Sequence, residues 1–325
     1  MKGCCFIIPY FGKFPNYFPL FLKSCSYNKD FNWLIITNNN TLYDYPDNVK
    51  VINMNFSELQ NMFQSKFKFK IKLNSPYKLC DYKPAYGYIF ENHIKDFKYW
   101  GHCDIDTIMG NLSQFLIPLF KNKYDKIFCL GHMTIYKNSY DNNRIFMSEY
   151  KGEELYKKVF SSNNICWFDE EWKDEFNINR IFLNQNKNVF EKDLSLNFSI
   201  FKSNFLKVTY DRNSINADKH GYVTETYKDC IYLWEQGHIK RYYIDNNNLR
   251  YEEYPYIHLQ KRNMLYFPSV IKQLRIRIVP NYLLKFTKRL VTISDFHKIN
   301  KRFINLQYWY IYIYPKIKRL IKRLI

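Results

Sequence analysis

The sequence predicts an α/β fold, a mostly parallel sheet flanked by helices, with a basic helical tail. Three observations carry that prediction. Strand-like and helix-like stretches alternate through the first hundred residues. The strand-like runs are almost uninterruptedly apolar, as in strands covered on both faces. A chain of 325 residues with 46% hydrophobic and 20% aromatic residues has ample material for one large core and an appendage. Scarce glycine and the lack of any Pro/Ser-rich tract exclude a fibrous or disordered chain.

The elements follow in order. Cys4 to Pro9 is a short buried strand, cut off by Tyr10 and Gly12. Pro15 to Ser26 carries apolar residues at 17, 18, 21, 22 and 25, the spacing of one helix face. Trp33 to Thr37 is a second strand, closed by three asparagines, and Val49 to Met54 a third. Phe56 to Phe63 and Tyr77 to His93 read as helices, and Phe97 to Cys103 as a strand ending at Asp104. Ligands of such sheets bind beyond the carboxyl ends of the strands. Tyr10, Gly12, Thr37 to Asn39, Asp104 and Asp106 all fall at such ends. Beyond Tyr124 the pattern is less regular. Lys126 to Leu130 and His132 to Tyr136 read as strands and Asn142 to Tyr150 as helix. Ile231 to Trp234, Ile239 to Ile244 and Leu249 to Tyr251 read as a small meander.

Charge is unevenly placed. The net charge is +19, and residues 264–325 hold fourteen basic residues against one acid, Asp295, so they carry +13 of it. This predicts two regions, a catalytic domain over 1–263 and a basic, aromatic, helical tail over 264–325. Near the end, apolar residues at 317, 320, 321 and 324 follow helical spacing between lysines and arginines. Such a helix suits the surface of an anionic membrane, and a solvated helical subdomain is the alternative. Basic charge confined to the tail, with no recognised nucleic-acid motif, argues against a nucleic-acid partner. The apolar run after Met1 is too short for a signal peptide, and no run reaches the roughly 20 apolar residues that span a bilayer. The expected location is cytoplasmic, peripheral on the inner face of the plasma membrane. Eight cysteines without a CxxC pair read as reduced thiols packed in the core.

The chemistry centres on Asp104-Ile105-Asp106, placed just off a buried strand. Alternation would put both carboxylates on one side, able to share Mn²⁺ or Mg²⁺ with the oxygens of a diphosphate. The ion would offset charge growing on a departing nucleoside diphosphate.

Four stretches carry a family resemblance: IPYFG at 8–12, KLCDYKPAYGYIF at 78–90, GHCDID at 101–106 and YIHLQKR at 256–262. Together they resemble an uncharacterised bacterial family of polysaccharide-biosynthesis glycosyltransferases, often encoded in capsule or O-antigen clusters. The resemblance spans residues 4 to 264. A more distant likeness is to the retaining GT-A families that include glycogenin and bacterial galactosyltransferases. It implies a GT-A-like fold and a nucleoside-diphosphate sugar donor, expected to be a UDP-sugar. It makes Pro9, Tyr10 and Gly12 base or ribose contacts and Asp81 and Lys83 ribose and phosphate contacts. His258 would join Asp104 and Asp106 on the metal, with Asp104 also beside the nucleotide. Lys261 or Arg262 would steady the diphosphate, since the Gly-x-x-Lys-Pro-Trp continuation of the wider class is absent here. Asp169 and Glu170 would lie beside the reacting carbon, one serving as general base if the reaction inverts configuration. His132 would line the acceptor site and His102 would pack near the metal. The acceptor implied is a lipid-linked or oligosaccharide glycan. A sugar nucleotidyltransferase is disfavoured because IPYFGKFPNYF holds one glycine. A non-catalytic glycan- or membrane-binding scaffold is the rival from another class.

Overall fold

The computed structural model describes residues 2–171, 176–200, 204–260, 262–301, 303 and 309–324. The fold is mixed α/β, with a large central sheet flanked by helices. Its seven strands are β1 (Lys2–Pro9), β2 (Phe31–Thr37), β3 (Val49–Asn53), β4 (Phe97–Cys103), β6 (Lys126–Leu130), β7 (Met133–Lys137) and β8 (Val189–Phe190). They lie in the order β3-β2-β1-β4-β7-β6-β8. Pairings from β3 to β4 are parallel, β7 is antiparallel to both neighbours, and β8 is parallel to β6.

Both faces are covered, as the apolar strand runs require. Along β1, Cys4, Phe6 and Ile8 enter one core while Cys5 and Ile7 enter the other. The first core takes the helix Phe18–Ser26 through Phe18 and Phe21, and the second takes the helix Phe56–Ser65 through Leu59 and Phe63. Leaving β1 the chain builds β2 and β3 on one side, then returns to place β4 on the other. This reversal makes the carboxyl ends of β1 and β4 the switch point of the sheet, where a crevice forms.

The short β5 (Thr107–Met109) follows β4. The remaining strands are β9 (Asn197–Phe198), β10 (Lys207–Tyr210), β11 (Tyr222–Thr224), β12 (Ile231–Glu235), β13 (His238–Asp245), β14 (Asn248–Tyr254), β15 (Tyr256–His258), β16 (Arg275–Val279) and β17 (Tyr282–Lys285). The expected meander is β12 to β14. It forms a five-stranded antiparallel sheet in the order β14-β13-β12-β16-β17. β15 pairs with β5.

Two sequence expectations need correction. Tyr77 to His93 is not one helix but a chain of single turns, Leu79–Tyr82, Lys83–Ala85, Tyr86–Ile89 and Glu91–Ile94. Pro84 removes a backbone donor, and Gly87 lies so close to Trp100 that a Cβ there would sit 2.3 Å from its ring. The tail is not helical from residue 264. β16 and β17 complete the five-stranded sheet, and Phe286, Leu290, Phe296 and Ile299 pack with Ile231 and Leu233 in a core of their own. The fold therefore continues through the boundary expected at 263/264. Farther on, Tyr314–Leu324 is helical, with Ile317, Leu320 and Ile321 exposed. Among the described residues, no helix is long and apolar enough to cross a membrane.

Candidate active site

Asp104 and Asp106 sit in a tight turn rather than on a pleated strand, so the turn, not alternation, gathers their carboxylates. The hydroxyl of Thr107 donates to the Asp104 carbonyl at 2.7 Å, and the amide of Asp104 donates to the His132 carbonyl at 2.9 Å. Between them Ile105 is buried in the core and anchors the turn. His258 arrives through β15, which places it opposite Thr107 in an antiparallel register. Its Nε2 stands 3.3 Å from Asp106 Oδ1. The amide of Leu259 donates to the Asp106 carbonyl at 2.9 Å, locking the two segments together. Ligand atoms of Asp104, Asp106 and His258 all lie within 4.8 Å of one another. Two carboxylates and an imidazole so disposed fit a divalent cation. Nδ1 of His258 is buried and makes no hydrogen bond among the described residues. The His132 ring lies tilted beside it, ring centroids 4.7 Å apart, and shares a 2.9 Å hydrogen bond with the Tyr256 hydroxyl. Burial holds His132 well below the usual histidine range, and His258 and Lys83 add to that. His102 is buried on β4 and also held well below that range, first by burial and then by Lys83, Lys126 and His132.

Lys83 joins this cluster to a second one. Its ammonium reaches Asp104 Oδ1 at 2.9 Å, Asp169 Oδ2 at 3.0 Å and the Gly131 carbonyl at 2.8 Å. Burial pulls its pKa down, and the charges of Asp104 and Asp169 more than reverse that, leaving it well above its ordinary value. Expected as a phosphate contact, Lys83 is a hub whose partners are carboxylates. Asp169 and Glu170 press against Gly131, where a Cβ would come within 2.5 Å of Glu170 Oε1 and 2.7 Å of Asp169 Oδ2. Only a residue without a side chain permits that approach. Burial pushes both carboxyl groups up. For Asp169, Lys83 opposes the rise, while for Glu170 the Asp169 charge adds to it. The segment is fixed from behind by Glu171, whose amide donates to the Cys129 carbonyl and whose buried carboxylate meets Arg180 and Arg212.

The other expected residues divide. Tyr10, after Pro9 at the end of β1, is raised by burial and by the nearby Asp106 and Asp104, so it borders the cluster. Gly12 takes a φ of +107° that favours glycine. Its amide donates to Asn38 Oδ1 at 3.1 Å, and Asn39 Nδ2 donates to its carbonyl at 3.0 Å. The loops after β1 and β2 are thereby pinned beside a cleft lined by Asn38, Asn53 and Asn55.

Asp81 does not belong to this set. It is fully buried and accepts from Lys78 Nζ at 2.7 Å and from the amides of Cys166 and Phe168. These bonds make it the anchor of the loop that carries Asp169, not a ribose contact. Cys80, Asp81 and Asp169 also present convergent ligand atoms, yet the oxygens of Asp81 are taken by those donors. Arg262 is 1% exposed, with Nη1 on the Leu259 carbonyl and its guanidinium 5.4 Å from the Phe205 ring. It is sealed near Asp106 rather than lining an open cleft, because β15 turns inward to pair with β5. Lys261 lies outside the described residues. The sequence reading missed Gly131, Glu171 and the hub role of Lys83. Glycine-to-carboxylate apposition joins segments about forty residues apart and leaves no local signature.

Fold and site together define an α/β protein whose carboxylates and histidines converge at the switch point of its central sheet. The chain belongs to the family of unknown function DUF6625, which matches residues 6–287. That span runs through β17. No curated protein matches the sequence. Among solved structures, the chain is similar to the galactosyltransferase LgtC in complex with donor and acceptor sugar analogs. Identity there is 12% and the TM-score 0.32, covering 60% of this chain and 75% of that one. An active-site mutant of LgtC gives 12% identity and the same TM-score, covering 60% and 74%.

Proposed function

We propose that the protein is a metal-dependent glycosyltransferase of the GT-A type. It would move a sugar from a nucleoside diphosphate, a UDP-sugar by this reading, to a surface polysaccharide or lipid-linked glycan. The observation that carries the reading is the convergence of Asp104, Asp106 and His258 at the carboxyl end of β4, within 4.8 Å. A Mn²⁺ or Mg²⁺ ion held there would supply charge stabilisation for a leaving diphosphate.

The chain's own groups do the rest. Tyr10 and the loop pinned through Gly12 would bound the nucleoside at the ends of β1 to β3. Lys83 holds Asp104 in position and keeps Asp169 ionised against its burial. Asp169 would contact the sugar or take the proton of the acceptor hydroxyl if configuration inverts, and Glu170, whose pKa is raised, would donate a hydrogen bond to an oxygen of the donor sugar. Arg262 would act through Asp106 by its charge. Lys261 stays a candidate for the diphosphate. Exposed Trp309, Tyr310, Ile317, Leu320 and Ile321, with the lysines between them, support a tail that rests on an anionic membrane and keeps the enzyme near a lipid-linked acceptor.

Calorimetric titration of UDP with and without Mn²⁺ tests this reading. Wild type is expected to bind only with the ion, and Asp106→Ala to lose that binding. If UDP, GDP and CDP all fail to bind, the proposal falls and a non-catalytic scaffold leads.

A further inference from the structure

A second polar cavity lies away from the carboxylate–imidazole cluster, against the five-stranded sheet. Lys228, Arg277, Lys301, Asn300, Asn204 and Tyr227 contribute its polar wall, and among the described residues no carboxylate lines it. Nearby acids already have partners: Glu225 pairs with Arg241, and Asp229 accepts from the hydroxyl of the wall residue Tyr227 at 2.9 Å.

Arg277 is the informative residue. It lies on β16 two positions from Arg275, so the two side chains share a face. Arg275 finds a carboxylate there, Glu235. Arg277 finds none. It is 8% exposed, its Nη1 donates to the Ile299 carbonyl at 2.7 Å, and its guanidinium lies 5.3 Å from the Phe303 ring. Its Nε is buried without a hydrogen bond among the described residues. Burying a cation without a counter-charge is unfavourable unless something compensates. Tyr232 also lines the cavity, its hydroxyl buried beside Cys230. A buried guanidinium with unmet capacity and two exposed lysines thus line one cavity.

We propose that this cavity binds a phosphate group, held by Arg277 together with Lys228 and Lys301. A guanidinium fork matches the oxygens of a phosphate, and flanking ammonium groups add charge without demanding geometry. Burial lowers the pKa of Arg277, and a bound anion would reverse that effect. The site takes the phosphate of a soluble phosphorylated compound or of a lipid headgroup; the chemistry of recognition is the same. It does not depend on the metal cluster or on the transferase reading.

The test uses the full chain and inorganic phosphate, titrated calorimetrically at constant ionic strength. The variant is Lys228→Gln/Lys301→Gln, whose two side chains are exposed, so the fold is spared. Wild type is expected to bind phosphate saturably, the double variant at least tenfold more weakly, and Asp106→Ala as wild type does. Lack of saturable binding by wild type, or equal binding by the double variant, overturns the proposal. So does loss of binding in Asp106→Ala, which would put the phosphate at the metal cluster. A second arm separates the sources. Phosphate that displaces wild type from phosphatidylglycerol–phosphatidylcholine vesicles assigns the site to a lipid headgroup. Phosphate that binds without displacing it assigns a soluble ligand.

Discussion

At the scale of single residues, two aspartates of similar sequence surroundings have opposite fates. Asp104 follows a strand, keeps about a third of its side chain open and meets Lys83. Asp81 lies in a broken helical stretch and is sealed under Lys78 and two backbone amides. Sequence alone separates them poorly, because burial of a charged residue is decided by partners distant along the chain. Cys166 and Phe168 are such partners, about 85 residues away. Asp81→Ala would leave the Lys78 ammonium, 3% exposed, with the Val159 and Asn164 carbonyls but no counter-charge, and two amides without their acceptor. It is expected to cost about 3–5 kcal/mol, the usual price of breaking a buried pair, readable in urea denaturation. A loss below about 1 kcal/mol would show that the loop does not depend on this anchor.

At the scale of elements, the apposition of the Gly131 turn with the Asp169–Glu170 segment has a pH signature. Both carboxyl groups are raised in the fold, so the native state binds more protons than the unfolded chain. Stability is fully present below the ordinary carboxylate pKa values and falls as pH rises through the raised ones. Wild-type Tm is therefore expected to decline between about pH 5 and about pH 9 from this pair, and Glu170→Gln to flatten the decline. An unchanged slope in the variant would refute the pairing. Elements were unequally legible. β1 to β4 announced themselves by continuous apolar runs bounded by turn residues. β16 carried a readable strand signal, Arg-Ile-Arg-Ile-Val with period two, but its basic residues merged it with the tail's charge. The turns between Leu79 and Ile94 were hidden because their apolar spacing is helical while Pro84 and a close ring contact at Gly87 divide the backbone.

At the scale of the whole molecule, the hydrophobic cores of the described residues divide the chain differently from its charge. Ile276, Ile278 and Leu283 are essentially sealed, so a chain ending at residue 263 exposes the β12 edge and loses their burial. At roughly 1.5–3 kcal/mol per buried side chain, that removes more than a typical margin of stability leaves to spare. Such a truncation is expected to be insoluble. A chain ending at residue 308 keeps every core cluster of the described residues. Its circular dichroism melt should match wild type, while co-sedimentation with anionic vesicles should drop. Retained sedimentation would remove the membrane role of the last helix. The candidate site was legible in its ligand types and in Asp104 and Asp106. What brings His258 to them, the pairing of β15 with β5, depends on chain closure over about 150 residues and has no local trace.

That closure also sets a clock. The carboxylates of Asp104 and Asp106 leave the ribosome long before His258 does. At about 5–20 residues per second, the gap is roughly 10–30 s. During it the nascent chain holds the two carboxylates without the imidazole, with the β5 edge unpaired. Only when β15 docks in register does the imidazole arrive beside Asp106, so the proposed cation centre is a late event in the chain's synthesis and arises only in a chain made at least as far as β15.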